Sequence, residues 1–222
     1  MDKIKVVFIT GNENKCKEVN AILGNDLFTV IHIKLDLPEI QSMDVVEVVN
    51  VKIKSAYDLS LLHIDEIKKK FLDKGHIISF LCEVIIICED TALNIANMNN
   101  FPGTLIKYYY ESIGNKGISE RDGGSHATTI CVIGVIKYGL IQPPIIGIRH
   151  GIIANKLMNG VNGFGWDPIF IPDLSDTEFN NDISLYDKSY AELSKNIKYK
   201  ISHRSIAFIK LKNHCISTHN MI

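Results

Sequence analysis

A surplus of charge of either sign is missing from this sequence: 24 Lys and Arg stand against 25 Asp and Glu, for a formal net charge of −1. A nucleic-acid-binding protein concentrates positive charge to displace counterions. The one dense basic run, Lys68-Lys69-Lys70, reads instead as a solvated helix face, so no nucleic-acid partner is expected. Long apolar runs are missing too. The longest, residues 77–88, is interrupted by Glu83 and falls short of the roughly 20 residues of a membrane span, so no membrane association is expected. The opening MDKIKVVFITG has charges at Asp2, Lys3 and Lys5 and then four apolar residues, too few for a signal-peptide core. Cysteine is sparse and unpatterned: Cys16, Cys82, Cys88, Cys131 and Cys215 include no C-x-x-C. That argues against a disulfide framework and for free thiols packed as small hydrophobes in a reducing compartment, which predicts a cytoplasmic protein. No H-x-x-x-H or Cys/His spacing suits zinc. No G-x-x-x-x-G-K-[ST] is present, which excludes a Walker-type phosphate loop, and Gly160, Gly163 and Gly165 do not make a dinucleotide fingerprint.

What is present suits a globular chain. Hydrophobic residues make up 46% and charged residues 22% of 222, enough to bury a core. Residues 4–9 form a β-branched apolar run ending at Thr10-Gly11-Asn12, after which Cys16, Val19, Ile22 and Leu23 recur at helical spacing as far as Gly24. Residues 28–33 read as a second strand, 45–57 as a helix, 61–72 as an amphipathic helix closed by Gly75, and 77–88 as a strand with a bend. A helix at 104–112 follows Pro102-Gly103. Two β-rich runs, 128–136 and 145–153, are joined through Gly139 and Pro143-Pro144. A glycine-rich loop at 160–167 precedes a short strand, and helices at 190–198 and 203–213 complete the pattern. Alternating elements without a repeat or a linker predict an α/β fold, a mixed β-sheet with flanking helices, in one domain over 1–222.

Several short segments could carry chemistry, and each has a plainer reading beside it. The turn TGNENK, at residues 10–15, joins a strand end to a helix start, where backbone N–H groups and the helix dipole favour an anion and Lys15 adds a full charge. The same turn can be an ordinary capped connection. Glu89-Asp90-Thr91 follows the most apolar run, where carboxylates at a strand end meet ligands and bind magnesium; Asp90 or Thr91 can equally cap a helix starting at Ala92. Glu39, after Leu37-Pro38, is either a third acid of the site or a solvated loop residue. Phe164 and Trp166, spaced by glycines in GFGWDP, suit stacking on a nucleobase, or a Trp anchoring its loop with Asp167 as a turn residue. In ISHR, Ser202 is placed to cap a helix that opens with His203 and Arg204, two cationic groups at the positive end of the dipole unless an anion or carbonyl faces them.

In this order, TGNENK, LPE, EDT, FPGTLIK, GFGWDP and ISHR resemble the inosine triphosphate pyrophosphatase family, the Ham1-like pyrophosphatases of non-standard purine triphosphates, over residues 4–210. The resemblance implies hydrolysis of ITP, dITP and XTP to the monophosphate and pyrophosphate, in two lobes around a central nucleotide-binding cleft. It also implies magnesium, with manganese as a substitute, and a homodimer. It makes Thr10, Gly11, Asn12, Glu13, Asn14 and Lys15 phosphate contacts and places Thr91 beside the substrate. Glu39 and Asp90 become the magnesium carboxylates, with Asp90 the general base and Glu89 its catalytic neighbour. Lys52, after a one-residue gap, and Lys107 become triphosphate clamps. Phe164, Gly165, Trp166 and Asp167 become the base loop, completed by Lys198, His203 and Arg204. Cationic donors at His203 and Arg204 would favour the O6 acceptor of hypoxanthine or xanthine over the amine of adenine. Residues 59–81 exceed the family pattern and read as an inserted helical segment. Thr104-Leu105 replaces the usual proline-tyrosine, and Tyr199-Lys200 intervenes before ISHR. The alternatives are a Maf-type pyrophosphatase, against which the TGN turn and the GFGWDP loop argue, and a catalytically silent nucleotide-binding protein.

Overall fold

The computed structural model describes residues 3–24 and 26–219; Asp2, one of the amino-terminal charges, lies outside them. The chain opens as expected with β1 (Ile4–Ile9), α1 (Glu13–Leu23) and β2 (Phe28–Ile33). Then come α2 (Val45–Leu62), α3 (Ile64–Leu72), β3 (Ile85–Ile95), the two-residue β4 (Pro102–Gly103) and α4 (Ile106–Asp122). The long hairpin β5 (His126–Lys137) and β6 (Leu140–Ile153) leads to β7 (Phe170–Pro172), α5 (Lys195–Ile201) and α6 (His203–His219). The seven strands form one mixed sheet ordered β2-β1-β3-β5-β6-β7, with β4 paired to β3. β1 runs parallel to β2 and β3, and the pairings beyond β3 are antiparallel.

A parallel strand needs cover on both faces, and β1 shows it residue by residue. Val7 and Ile9 join a core with Val45, Val49 and Ile53 of α2 and Ile67 and Phe71 of α3. Val6 and Phe8 face the other way, into a core with Val19 and Leu23 of α1 and Ala207, Phe208 and Leu211 of α6. A third core gathers Leu93 and Ile95 of β3 with Ile106 and Tyr109 of α4, Phe170, Tyr190 and Ile201. The first two cores make one lobe and the third the other. Among the described residues, no helix is long and apolar enough to cross a membrane.

Three expectations change. The strand read at 77–88 begins at Ile85 and runs on to Ile95. Glu83 accepts the Ser79 and Phe80 N–H groups at 3.0 and 2.9 Å, which turns the earlier part of the run into a short 3₁₀ turn. The helix cap at Asp90 or Thr91 is therefore absent: both lie within β3. The β5–β6 connection is the two-residue turn Tyr138-Gly139, both at positive φ as a hairpin turn of this length prefers. Pro143-Pro144 sits inside β6 at a register shift, where no ladder N–H is needed. The carboxy-terminal helix read at 190–198 starts at Lys195, because Ser194 caps it by accepting from Ile197 N–H. The segment at 59–81 holds the end of α2 and all of α3. Ile67 and Phe71 of α3 are fully buried, leaving Lys69 in solvent and Lys68 and Lys70 half-buried.

Candidate active site

A cleft of about 1080 Å³ opens between the lobes, lined by strand ends from one and by α4 and the 164–167 loop from the other. At the exit of β1, Asn12 caps α1 by accepting the Asn14 and Lys15 N–H groups at 3.0 and 3.2 Å, and Thr10 Oγ1 accepts from Asn12 N–H at 3.1 Å. Thr10, Gly11, Asn12 and Lys15 face the cleft. Glu13 and Asn14 are exposed and outside its lining, because successive helical positions turn about 100° and carry these two side chains away.

Adjacent in sequence, Glu89 and Asp90 point to opposite faces of β3, as the strand's two-residue period requires. Asp90 faces α2, where Lys52 Nζ lies 2.8 Å from its Oδ2 and 2.7 Å from Glu39 Oε1. Burial pulls the Lys52 ammonium down, but Asp90 and Glu39 outweigh it and raise its pKa. One cation thus already sits between the two carboxylates. A magnesium ion, which needs one or two carboxylates plus phosphate oxygens, fits this donor pair, although no group of three or more metal-ligating side chains exists among the described residues. Thr91 and Lys107 also line this end.

Glu89 faces α1 and α6 and is fully engaged. Arg204 grips it through Nε and Nη2 at 2.9 and 3.1 Å, Lys15 Nζ lies at 2.9 Å, and the Cys131 thiol donates at 3.1 Å. Burial would raise this carboxyl; Arg204 and Lys15 overcome that and hold it well below the usual carboxylate range. Glu89 is therefore apart from Asp90 and serves to fix Arg204 and Lys15. The chain of charges continues through Glu18, which accepts from Arg204 Nη1 at 2.6 Å and Lys198 Nζ at 2.7 Å, to Asp167, 2.6 Å from Lys198. Three cations and three carboxylates alternate from Lys15 to Asp167, linking the β1 turn to the aromatic loop. Burial pushes the Asp167 carboxyl up despite Lys198.

The aromatic loop lies over this chain. Phe164 covers Lys198 Nζ and Arg204 Cζ at 5.0 and 5.6 Å, a cation–π arrangement. Trp166 stacks on His203 at 5.3 Å, with Tyr190 on the other side at 6.1 Å. Gly165 takes a φ of 59°, open to glycine, and its carbonyl accepts from Asn115 Nδ2 at 2.8 Å. Ser202 accepts from Ser205 N–H, the cap expected for α6. The expected cationic His203 is overturned: burial, then Arg204, lower its pKa well below 6.5, and neither ring nitrogen has a partner among the described residues. Lys198 lies behind the pocket wall, 1% exposed, rather than in it.

Sequence reasoning missed Glu18, Lys34, Asn115 and Cys131. Glu18 had a faint signal, one helical turn from Lys15 on the same face; the others had none.

The sequence model of the Ham1 family matches residues 6–214. An inosine triphosphate pyrophosphatase of Kluyveromyces lactis is 34% identical, over 98% of this chain and 99% of that one. A dITP/XTP pyrophosphatase of Ignicoccus hospitalis is 30% identical, over 95% and 96%. Among solved structures, the Ham1 protein of Staphylococcus aureus superposes with a TM-score of 0.62 at 23% identity, over 96% of this chain and 99% of that one, a likeness of fold. With the model spanning nearly the whole sequence and relatives matching end to end, the chain belongs to the Ham1 family.

Proposed function

We propose that this protein hydrolyses non-standard purine nucleoside triphosphates, ITP, dITP and XTP, to the monophosphate and pyrophosphate. The observation that carries the reading is one cleft with two chemically different ends, Glu39–Lys52–Asp90 at one and the Phe164–Trp166 wall at the other. A triphosphate fits the first and a purine the second.

Glu39 and Asp90 would hold magnesium in this reading, with manganese as its substitute, and the metal would supply neutralisation of phosphate charge. Asp90 is also the base that orients and deprotonates the attacking water. Lys52 and Lys107 clamp the triphosphate. Cys88 lines the cleft, but burial pushes its thiol up to about 12, so it stays protonated and the attack belongs to water. Arg204 has five N–H donors, of which Glu89 and Glu18 occupy three. The two remaining can meet the O6 acceptor of hypoxanthine or xanthine but not the amine of adenine. A homodimer in the cytoplasm completes the reading.

Incubation with ITP and magnesium, with both products quantified, tests it. Equal amounts of IMP and pyrophosphate are expected, and ATP turns over far more slowly. IDP with orthophosphate as the main products would sink the proposal, and absence of turnover with any purine triphosphate would leave a nucleotide-binding protein.

A further inference from the structure

The cations of the cleft fall into two sets. Lys15 is matched by Glu89, Lys52 by Glu39 and Asp90, and Arg204 by Glu89 and Glu18. Lys34 and Lys107 also line the cleft, yet neither has an ion pair among the described residues. A triphosphate brings several negative charges into this space. A matched cation must share or surrender its carboxylate to bind them, whereas an unmatched one gives its full attraction.

Lys34 is placed by the sheet. It follows Ile33, the last residue of β2, whose carbonyl accepts the Thr10 N–H at 3.0 Å. The exits of two parallel strands thus lie side by side, at the carboxyl ends where α/β sheets receive ligands. The lysine stem passes across the β1 turn: a Cβ added to Gly11 would lie 3.4 Å from Lys34 Cε and 3.5 Å from its Cγ. That turn has already committed N–H groups of its own. Asn12 donates to Thr10 Oγ1, and Asn14 and Lys15 donate to Asn12 Oδ1. The ammonium beside the turn is thus better placed to take an incoming anion than much of the turn itself. Within the sheet, β2 is the edge strand farthest from β7, which follows the aromatic loop. Lys34 thus stands at the sheet edge opposite the strand that follows the aromatic loop.

From this placement we propose that Lys34 is a substrate-contacting residue that binds the terminal phosphates, the part released as pyrophosphate. The assignment rests on the pyrophosphatase reading above.

Lys34→Ala and Lys34→Arg, compared with the unaltered protein in magnesium, test it. Loss of a charge-assisted phosphate contact is expected to raise KM for ITP and to weaken inhibition by pyrophosphate, each by about tenfold. Inhibition by IMP, which lacks the terminal phosphates, should stay within about twofold, and Lys34→Arg should restore most of the loss. Titration calorimetry with pyrophosphate alone reads the same contact without turnover, and so separates failure of this assignment from failure of the activity. If Lys34→Ala binds pyrophosphate as tightly as the unaltered protein, or loses IMP and pyrophosphate equally, the assignment is overturned.

Discussion

The two ends of the cleft solve opposite problems with the same residue types. At the end proposed for the triphosphate, Glu39, Lys52 and Asp90 meet, with the Glu39 side chain 65% exposed and Lys52 buried. At the base end, Asp167, Lys198, Glu18, Arg204 and Glu89 are all buried, and each charge is held by at least one opposite partner. Buried ion pairs contribute little net stability, because desolvation offsets their attraction, yet breaking one leaves a charge stranded. Open pairs are weak but exchangeable. The end proposed for the base is therefore a rigid wall. The end proposed for the triphosphate keeps one buried cation, Lys52, between two more exposed carboxylates, Glu39 and Asp90, charges that a triphosphate and its metal ion would rearrange.

Two substitutions would break this contrast most sharply. Lys198→Met removes the link between Glu18 and Asp167, and unfolding by denaturant should show a loss of about 3–5 kcal/mol. Asp90→Asn keeps the volume and an oxygen for Lys52, so its stability should change by less than about 1 kcal/mol. Its turnover should fall by about 10²–10⁴-fold, the usual worth of a general base. An unchanged unfolding midpoint in Lys198→Met, or near-normal turnover in Asp90→Asn, would reverse the comparison.

The acid limb of stability sharpens it further. Below pH 6.5 an unfolded histidine binds a proton, whereas buried His203 stays neutral, held down by burial and then by Arg204. The unfolded state then binds more protons, so stability falls as pH falls, by up to about 1.4 kcal/mol per unit for this site. Above pH 6.5 both states are neutral and His203 has no effect on the slope. His32, lowered by burial and then by Lys74 and Lys70, adds to the same limb, so the informative quantity is a difference. His203→Phe keeps a ring between Trp166 and Tyr190 and should lose less stability than the unaltered protein between pH 6.5 and 4.5. Parallel curves for the two proteins would show His203 taking up a proton when folded. Glu89, held well below its ordinary 4.5, adds a further loss only at lower pH.

Much of this architecture was legible in the sequence, and the failures have physical causes. The opening strand, turn and helix could be read because apolar periodicity and Gly24 agree. The GFGWDP loop stood out because glycines around aromatics make sense only on a shaped loop. Glu89 and Asp90 misled by adjacency: in a strand, neighbours face apart, and the strand itself was hidden because carboxylates disfavour one unless ion pairs hold them. Glu18 went unread because its partner Lys198 lies 180 residues away, and Lys34 because its place comes from the pairing of β2 with β1. Asn115 was invisible for another reason: its position depends on a kink in α4 at Gly114, φ 67°.

That asparagine gives the smallest effect and the finest test of how rigid the base end is. Charges hold the inner side of the aromatic loop, through Asp167, which also accepts the Phe164 N–H at 2.8 Å. A neutral hydrogen bond, from Asn115 to the Gly165 carbonyl, reaches it from α4. A bond of this kind is worth about 0.5–1.5 kcal/mol. Part of that is already offset, since the Asn115 amide oxygen is buried without a partner among the described residues and its removal relieves a desolvated group. Asn115→Ala should therefore lower overall stability by less than about 1 kcal/mol. Its effect should fall on Gly165 and so on Trp166, raising KM for ITP by about threefold to tenfold at nearly constant kcat, since the phosphate end is untouched. Asn115→Gln cannot reach the same carbonyl from the same backbone without shifting the loop and should rescue poorly. If Asn115→Ala lowers kcat with KM unchanged, the aromatic loop is coupled to the reacting end, and the two ends of the cleft do not act independently.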